Sequence, residues 1–160
     1  MIQVIQSLCF AISLMLLSQT LMAADATEAP STQTWTFENQ DHGWTAYTDC
    51  QLSVKDHLLQ VNSTGKDPHF GRELKSAAGW KQVKLKLRAD FPLKGEVYWK
   101  TEKNNSYADQ RSERFDLKKK NTDWQELSFV FYADSEMTGL RIDPASQTGL
   151  IEIESITLGN

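Results

Sequence analysis

The chain is poor in cysteine. It has two, and one of them, Cys9, sits in a leading apolar stretch, so only Cys50 is left for the rest. No disulfide can form within that remainder, and stability has to come from an apolar core, which a chain this size can build. Cys50 has no histidine or second cysteine beside it, so it reads as a small buried hydrophobe rather than a nucleophile or ligand. Charge is absent from residues 1–23, which hold no Lys, Arg, Asp or Glu. There Leu8–Leu17 is apolar, and small residues follow at Ala23, Ala24 and Ala26. This predicts a cleaved signal peptide over 1–23, with an uncleaved anchor as the competing reading. The protein is then expected to be secreted or periplasmic and off the membrane.

Positive charge is also short: 17 Lys and Arg against 21 Asp and Glu give a net charge of −4. Such a balance argues against nucleic acid as a partner, because phosphate neutralisation needs a basic face. It also argues against anionic membranes. The three histidines are scattered, with no H-x-H or H-E-x-x-H, so zinc chemistry has no support. A G-x-S-x-G elbow is missing too. No segment after the leader carries a convincing helical period.

What the chain does have is short alternating runs broken by turns. Residues 24–33 read as a short linker, and a single domain is predicted over 34–160. Strands are expected at 34–37, 44–47, 50–54, 58–61, 82–88, 96–100, 114–117, 125–131, 140–142 and 150–158. In Gln82–Arg88, Val83, Leu85 and Leu87 alternate with Lys84, Lys86 and Arg88, the period of a half-buried antiparallel strand. Runs 50–54 and 58–61 form a hairpin across Lys55–His57. Trp35 and Phe37 share an inward face, as do Val97 and Trp99. The whole predicts an all-β fold, a two-sheet antiparallel β-sandwich, with the first and last strands paired.

The order Trp35-Thr-Phe37, Gly43-Trp44, Gly65-Lys-Asp-Pro-His69, Ala78-Gly-Trp80, Val97–Glu102, Leu140–Pro144 and Gly149–Leu158 resembles the galactose-binding-like β-jelly-roll domains, of the carbohydrate-binding-module type. Such domains are appended to bacterial sulfatases and glycoside hydrolases. The resemblance spans nearly all of 34–160. It implies a noncatalytic, sugar-facing role, often with a structural Ca²⁺. The expected partner is a polysaccharide or glycan, with an envelope protein or secreted enzyme in trans.

Candidate residues follow. Arg141 and Asp143 alternate with Leu140 and Ile142, so they face outward together; they either bind sugar hydroxyls or pair and brace the Pro144 turn. Lys66, Asp67 and His69 form a second rigid polar turn at a loop end, where they converge on a ligand or serve an ordinary self-capped loop. Of the five Trp, four Tyr and seven Phe, most belong in the core. Trp80, beside a loop, and Tyr98, sharing a face with Lys100, are the sugar-stacking candidates, with Trp44 and Tyr107 as further exposed aromatics. Residues 111–120, rich in charge, are a solvated turn or a contact for a sulfated or uronic glycan. For calcium, Glu38, Asn39 and Asp41 after the first strand could meet Glu152 and Glu154 on the last; solvated edge carboxylates are the alternative. Two other functions stay open: an envelope assembly module of the same fold, and a small polysaccharide lyase or hydrolase built on His69, Tyr98 and Lys100.

Overall fold

The computed structural model describes residues 31–160. The expected signal peptide and most of the linker lie outside the described residues. Eleven strands follow in order: β1 Gln33–Thr36, β2 Thr45–Thr48, β3 Cys50–Lys55, β4 Leu58–Ser63, β5 His69–Ser76, β6 Gly79–Ala89, β7 Leu93–Thr101, β8 Ser112–Leu117, β9 Asn121–Ala133, β10 Met137–Asp143 and β11 Gly149–Gly159. A single 3₁₀ turn, Asp109–Arg111, is the sole helical element among the described residues.

Two antiparallel sheets result. One has the order β3-β4-β11-β6-β9, with β1 also paired to β11; the other runs β2-β5-β10-β7-β8. The predicted seam between first and last strands is there, with Gln33 opposite Leu158 and Thr36 opposite Ser155. Where a hairpin was expected, β3 and β4 turn through Asp56 and His57, both at positive φ (52° and 61°). That is the mirror-image turn whose twist matches the flanking strands.

The core forms where the alternating apolar faces of the two sheets meet. Trp35, Phe37, Val97 and Trp99 are buried there as expected. Trp99 of β7 stacks on Phe131 of β9, centroids 3.9 Å apart and planes 14° from parallel. Phe115 of β8 lies 5.9 Å from Phe129 of β9. Both contacts join one sheet to the other.

Three expectations are corrected. The sequence pattern places no strand directly after the Gly65–His69 turn, yet His69 begins β5. Gly71 and the charged Arg72 hide its alternation. A Cβ on Gly71 would come 2.7 Å from the Leu140 carbonyl oxygen and 2.8 Å from the Tyr47 ring, so only glycine fits beneath that tyrosine. Arg72 takes an inward position, its guanidinium 5.1 Å from the centre of the Trp35 ring. Trp44 is buried rather than exposed. It precedes β2 and wedges edge-on between Trp35 and Phe70, at 5.5 and 5.6 Å. Tyr107 is half-buried, against Lys100 and beneath the reach of Arg141.

Candidate functional site

A groove of about 660 Å³ lies on the outer face of the five-stranded sheet, over β10, β7 and β8. Strand register sets its floor. Arg141 is opposite Tyr98, and Tyr98 opposite Ser112; Asp143 is opposite Glu96, and Glu96 opposite Arg114. Lys94 and Asp116, another cross-strand pair, extend the row. The wall comes from two turns, through Lys66 and Asp67 on one side and Ala145 and Ser146 on the other.

Those turns are tied down. The Asp49 carboxylate accepts the backbone N–H of Lys66 at 3.0 Å and of Asp67 at 3.2 Å. Its own carbonyl accepts the Thr64 N–H at 2.7 Å. Ser63 Oγ donates to the Gln147 carbonyl at 2.6 Å, bridging one turn to the other. Proline fixes each turn at Pro68 and Pro144, both buried.

At the floor, Arg141 grips Asp143 through Nε at 2.7 Å and Nη2 at 2.6 Å. The guanidinium also sits 4.9 Å from the centre of the Tyr98 ring. Burial pulls Arg141 down, but its hydrogen bonds to Asp143 outweigh this and hold the guanidinium above its ordinary value. Burial pushes the Asp143 carboxyl up, and Arg141 offsets some of the shift. Burial first, then the Glu96 carboxylate, push the Tyr98 hydroxyl well above its ordinary range, which keeps it protonated and able to donate. Arg114 Nε donates to Glu96 Oε1 at 2.9 Å. The other oxygen, Glu96 Oε2, is buried and has no hydrogen-bond partner among the described residues. A buried acceptor left open at a groove floor is where a ligand hydroxyl is expected to donate.

The structure therefore brings Lys66, Asp67, Tyr98, Arg141 and Asp143 together in one groove. His69 stands beside them, its Nδ1 2.9 Å from the Asp67 carbonyl. Lys100 lies one row along, its amine 2.7 Å from Glu73 Oε1. Trp80 is not in the groove: it projects from β6, in the other sheet, with the thickness of the sandwich between. Glu96 and Lys94 were not singled out from sequence, and Arg114 and Asp116 were noted only within the charged stretch 111–120. A period-two reading of Lys94, Glu96, Tyr98 and Lys100 was the available signal; the partners on β8 needed the register.

The four expected metal carboxylates have other partners. Glu38 meets His57 at 2.8 Å, Glu152 meets Arg88 at 2.7 Å, and Glu154 meets Lys86 at 2.5 Å. Asp41 Oδ1 accepts the Gly43 N–H at 2.9 Å. Among the described residues, the grouping whose side chains could hold a metal ion is Asp67, His69 and Asp143, with ligand atoms within 4.8 Å of one another. It does not fit calcium. Ca²⁺ takes six to eight oxygens, whereas this trio includes an imidazole and a carboxylate already held on both oxygens by Arg141. Cys50 packs against the core, and its thiol donates to the His69 carbonyl at 3.3 Å. Burial raises its pKa, as expected of an inert cysteine.

No protein family and no curated protein matches the chain in sequence. Solved structures do match in shape. One, described as BiXyn10A CBM1 in its apo form, is 12% identical over 80% of this chain and 96% of its own, with a TM-score of 0.63. A family 29 carbohydrate-binding module from Piromyces equi is 14% identical over 82% of this chain and 91% of its own, at 0.58. CBM35 from Paenibacillus barcinonensis is 18% identical over 79% and 97%, at 0.52. The fold is the β-sandwich of carbohydrate-binding modules. The jelly-roll resemblance carried by the sequence motifs is thus met in three dimensions, across nearly the whole described domain.

Proposed function

We propose that this protein is a noncatalytic carbohydrate-binding module whose site is the groove over β10, β7 and β8. The observation that carries the reading is the open Glu96 Oε2 at the groove floor, beside the Tyr98 ring and the Arg141–Asp143 pair. A pyranose offers hydroxyl donors to that oxygen and C–H groups to the aromatic ring. Catalysis is disfavoured because the tyrosine is a poor base and the nearby lysine is paired with Glu73.

The ligand class is a neutral glycan. Lys66, Lys94, Arg114 and Arg141 are balanced in the groove by Asp67, Glu96, Asp116 and Asp143. A polyanion would meet as many like charges as opposite ones. The basic run at 118–120 is an exposed turn between β8 and β9, away from the groove lining. On the strength of residues 1–23 of the sequence, the protein works outside the cytoplasm, secreted or periplasmic, beside an enzyme or envelope protein in trans.

A glycan array probed with the wild type and with Tyr98→Ala, each with Ca²⁺ and with EDTA, tests this. Saturable binding by the wild type, surviving EDTA and clearly weakened in a folded Tyr98→Ala, is expected. A folded wild type that binds no glycan would move the reading to an envelope assembly module.

A further inference from the structure

The six-stranded sheet carries a second aromatic grouping on the face turned away from the core. Trp80 of β6 and Tyr132 of β9 are direct cross-strand partners. Their rings lie 5.5 Å apart with planes at 70°, an L-shaped pair. Both are well exposed, at 66% and 57%, and Val130, at 56%, is on the same stretch of β9. Exposed large apolar side chains that cluster, rather than scatter, mark a binding surface.

The surroundings narrow the occupant. Along the same two strands the next outward pair is Gln82 and Val130, and Ser128 follows one row on, with Gln82 Nε2 donating to Ser128 Oγ at 3.0 Å. The first charged side chains along that face are Lys84 and Glu126, 3.9 Å apart and paired with each other. Lys81, between Trp80 and Gln82, points inward and is buried. The patch is therefore two aromatic rings and Val130, bordered by an amide and a hydroxyl, with the nearest charges, Lys84 and Glu126, paired. A purely apolar partner would leave the remaining donor and acceptor positions of Gln82 and Ser128 unmet, and a charged one would have to break the Lys84–Glu126 pair to find a counter-ion. A sugar ring satisfies both kinds of group at once, through its C–H face and its hydroxyls.

We propose that Trp80 and Tyr132, with Gln82 and Ser128, form a second carbohydrate site, on the opposite face of the sandwich from the groove, for a sugar ring of a neutral polysaccharide. The ligand class rests on the groove reading; the site does not share a residue with it.

Affinity electrophoresis of the full-length protein in gels containing xylan, mixed-linkage β-glucan or galactomannan tests the proposal. Four proteins are compared: wild type, Tyr98→Ala, Trp80→Ala/Tyr132→Ala, and the triple variant. All three side chains reach solvent, and circular dichroism checks that each variant is folded. Protection of tryptophan from acrylamide quenching by the retained polysaccharide gives an independent readout, because Trp80 is by far the most exposed of the described tryptophans. Tyr98→Ala is expected to keep partial retention, and the triple variant to lose about tenfold more affinity. Sugar protection from quenching should vanish with Trp80. Equal retention of Tyr98→Ala and the triple variant would remove the second site and leave the groove standing. Retention lost with Trp80→Ala/Tyr132→Ala but untouched by Tyr98→Ala would remove the groove instead. Concentration-dependent dimerisation abolished by Trp80→Ala/Tyr132→Ala, without change in retention, would make this face a contact between copies and overturn the proposal. A wild type retained by none of the gels would sink both sites.

Discussion

Arg141 holds both oxygens of Asp143, two residues further along β10, at 2.7 and 2.6 Å. The partners differ in burial: the Asp143 side chain is 12% exposed and that of Arg141 is 21%. Removing one is therefore not equivalent to removing the other. Arg141→Ala leaves a nearly buried carboxylate without its counter-ion and is expected to cost about 3 kcal/mol. Asp143→Asn leaves a guanidinium that still reaches water, still stacks near Tyr98 and can donate to the new amide oxygen, at about 1 kcal/mol. Urea unfolding of the two variants checks the order; a cheaper Arg141→Ala would contradict it. The same reasoning makes Tyr98→Ala the cleaner probe of binding.

Ionic strength distinguishes the glycan classes. With the groove charges balanced, affinity for the glycan is expected to change less than about twofold between low and high salt. Isothermal titration at several NaCl concentrations measures this. A steep fall with salt would point to a uronic or sulfated ligand instead.

The stacked Trp99 and Phe131 rings join the two sheets at the centre of the core. Trp99→Ala should leave a cavity that rigid strands on both sides cannot close. About 3–5 kcal/mol of stability is expected to go with it. Chemical denaturation followed by circular dichroism reads the loss, and a cost below about 1 kcal/mol would mean the sheets repack freely.

Among the described residues, Lys81 is the buried cation. Its amine donates to Oδ1 of Asn160, which is exposed, and burial lowers its pKa. The folded state therefore releases this proton more readily than the unfolded chain does. In the alkaline window between the lowered value and the ordinary lysine value, the unfolded chain binds more protons, so Lys81 contributes rising stability as pH rises. Below that window the amine is charged in both states and the burial cost is fully felt. Lys81→Met should remove that cost, stabilising the protein at neutral pH by up to about 1 kcal/mol. It should also flatten the alkaline rise, which thermal unfolding across pH would show.

Much of the architecture was legible because the strands alternate cleanly. Val83, Leu85 and Leu87 against Lys84, Lys86 and Arg88 fix both the strand and its inward face. The same rule placed Arg141, Asp143 and Tyr98 on an outer surface. It failed where a residue broke the alternation for a local reason. Gly71 lies under Tyr47 and Arg72 turns inward against Trp35, so β5 did not look like a strand. It failed again where the answer depended on pairing. Glu96 and Arg114 meet only because β7 and β8 are in that register, and Trp80 leaves the groove only because β6 pairs with β11 and β9 rather than with β7. Trp44 opens the run expected as a strand at 44–47 and shares the inward side with Ala46, but a four-residue run bordered by a turn did not decide which side faced the core.

The seam between β1 and β11 also decides how the domain would respond to a pull. Gln33 and Leu158 are neighbours, and the two strands run antiparallel. Tension applied through the flanking chain at Gln33 and at Gly159 thus acts at one end of the ladder. The hydrogen bonds then break in succession, as in a peeled strip, instead of sharing the load as they would in shear. Trp35 and the adjoining Phe37 leave the core as β1 peels. Under load this edge is expected to give way first, while the groove strands β10, β7 and β8, in the other sheet, keep their pairing.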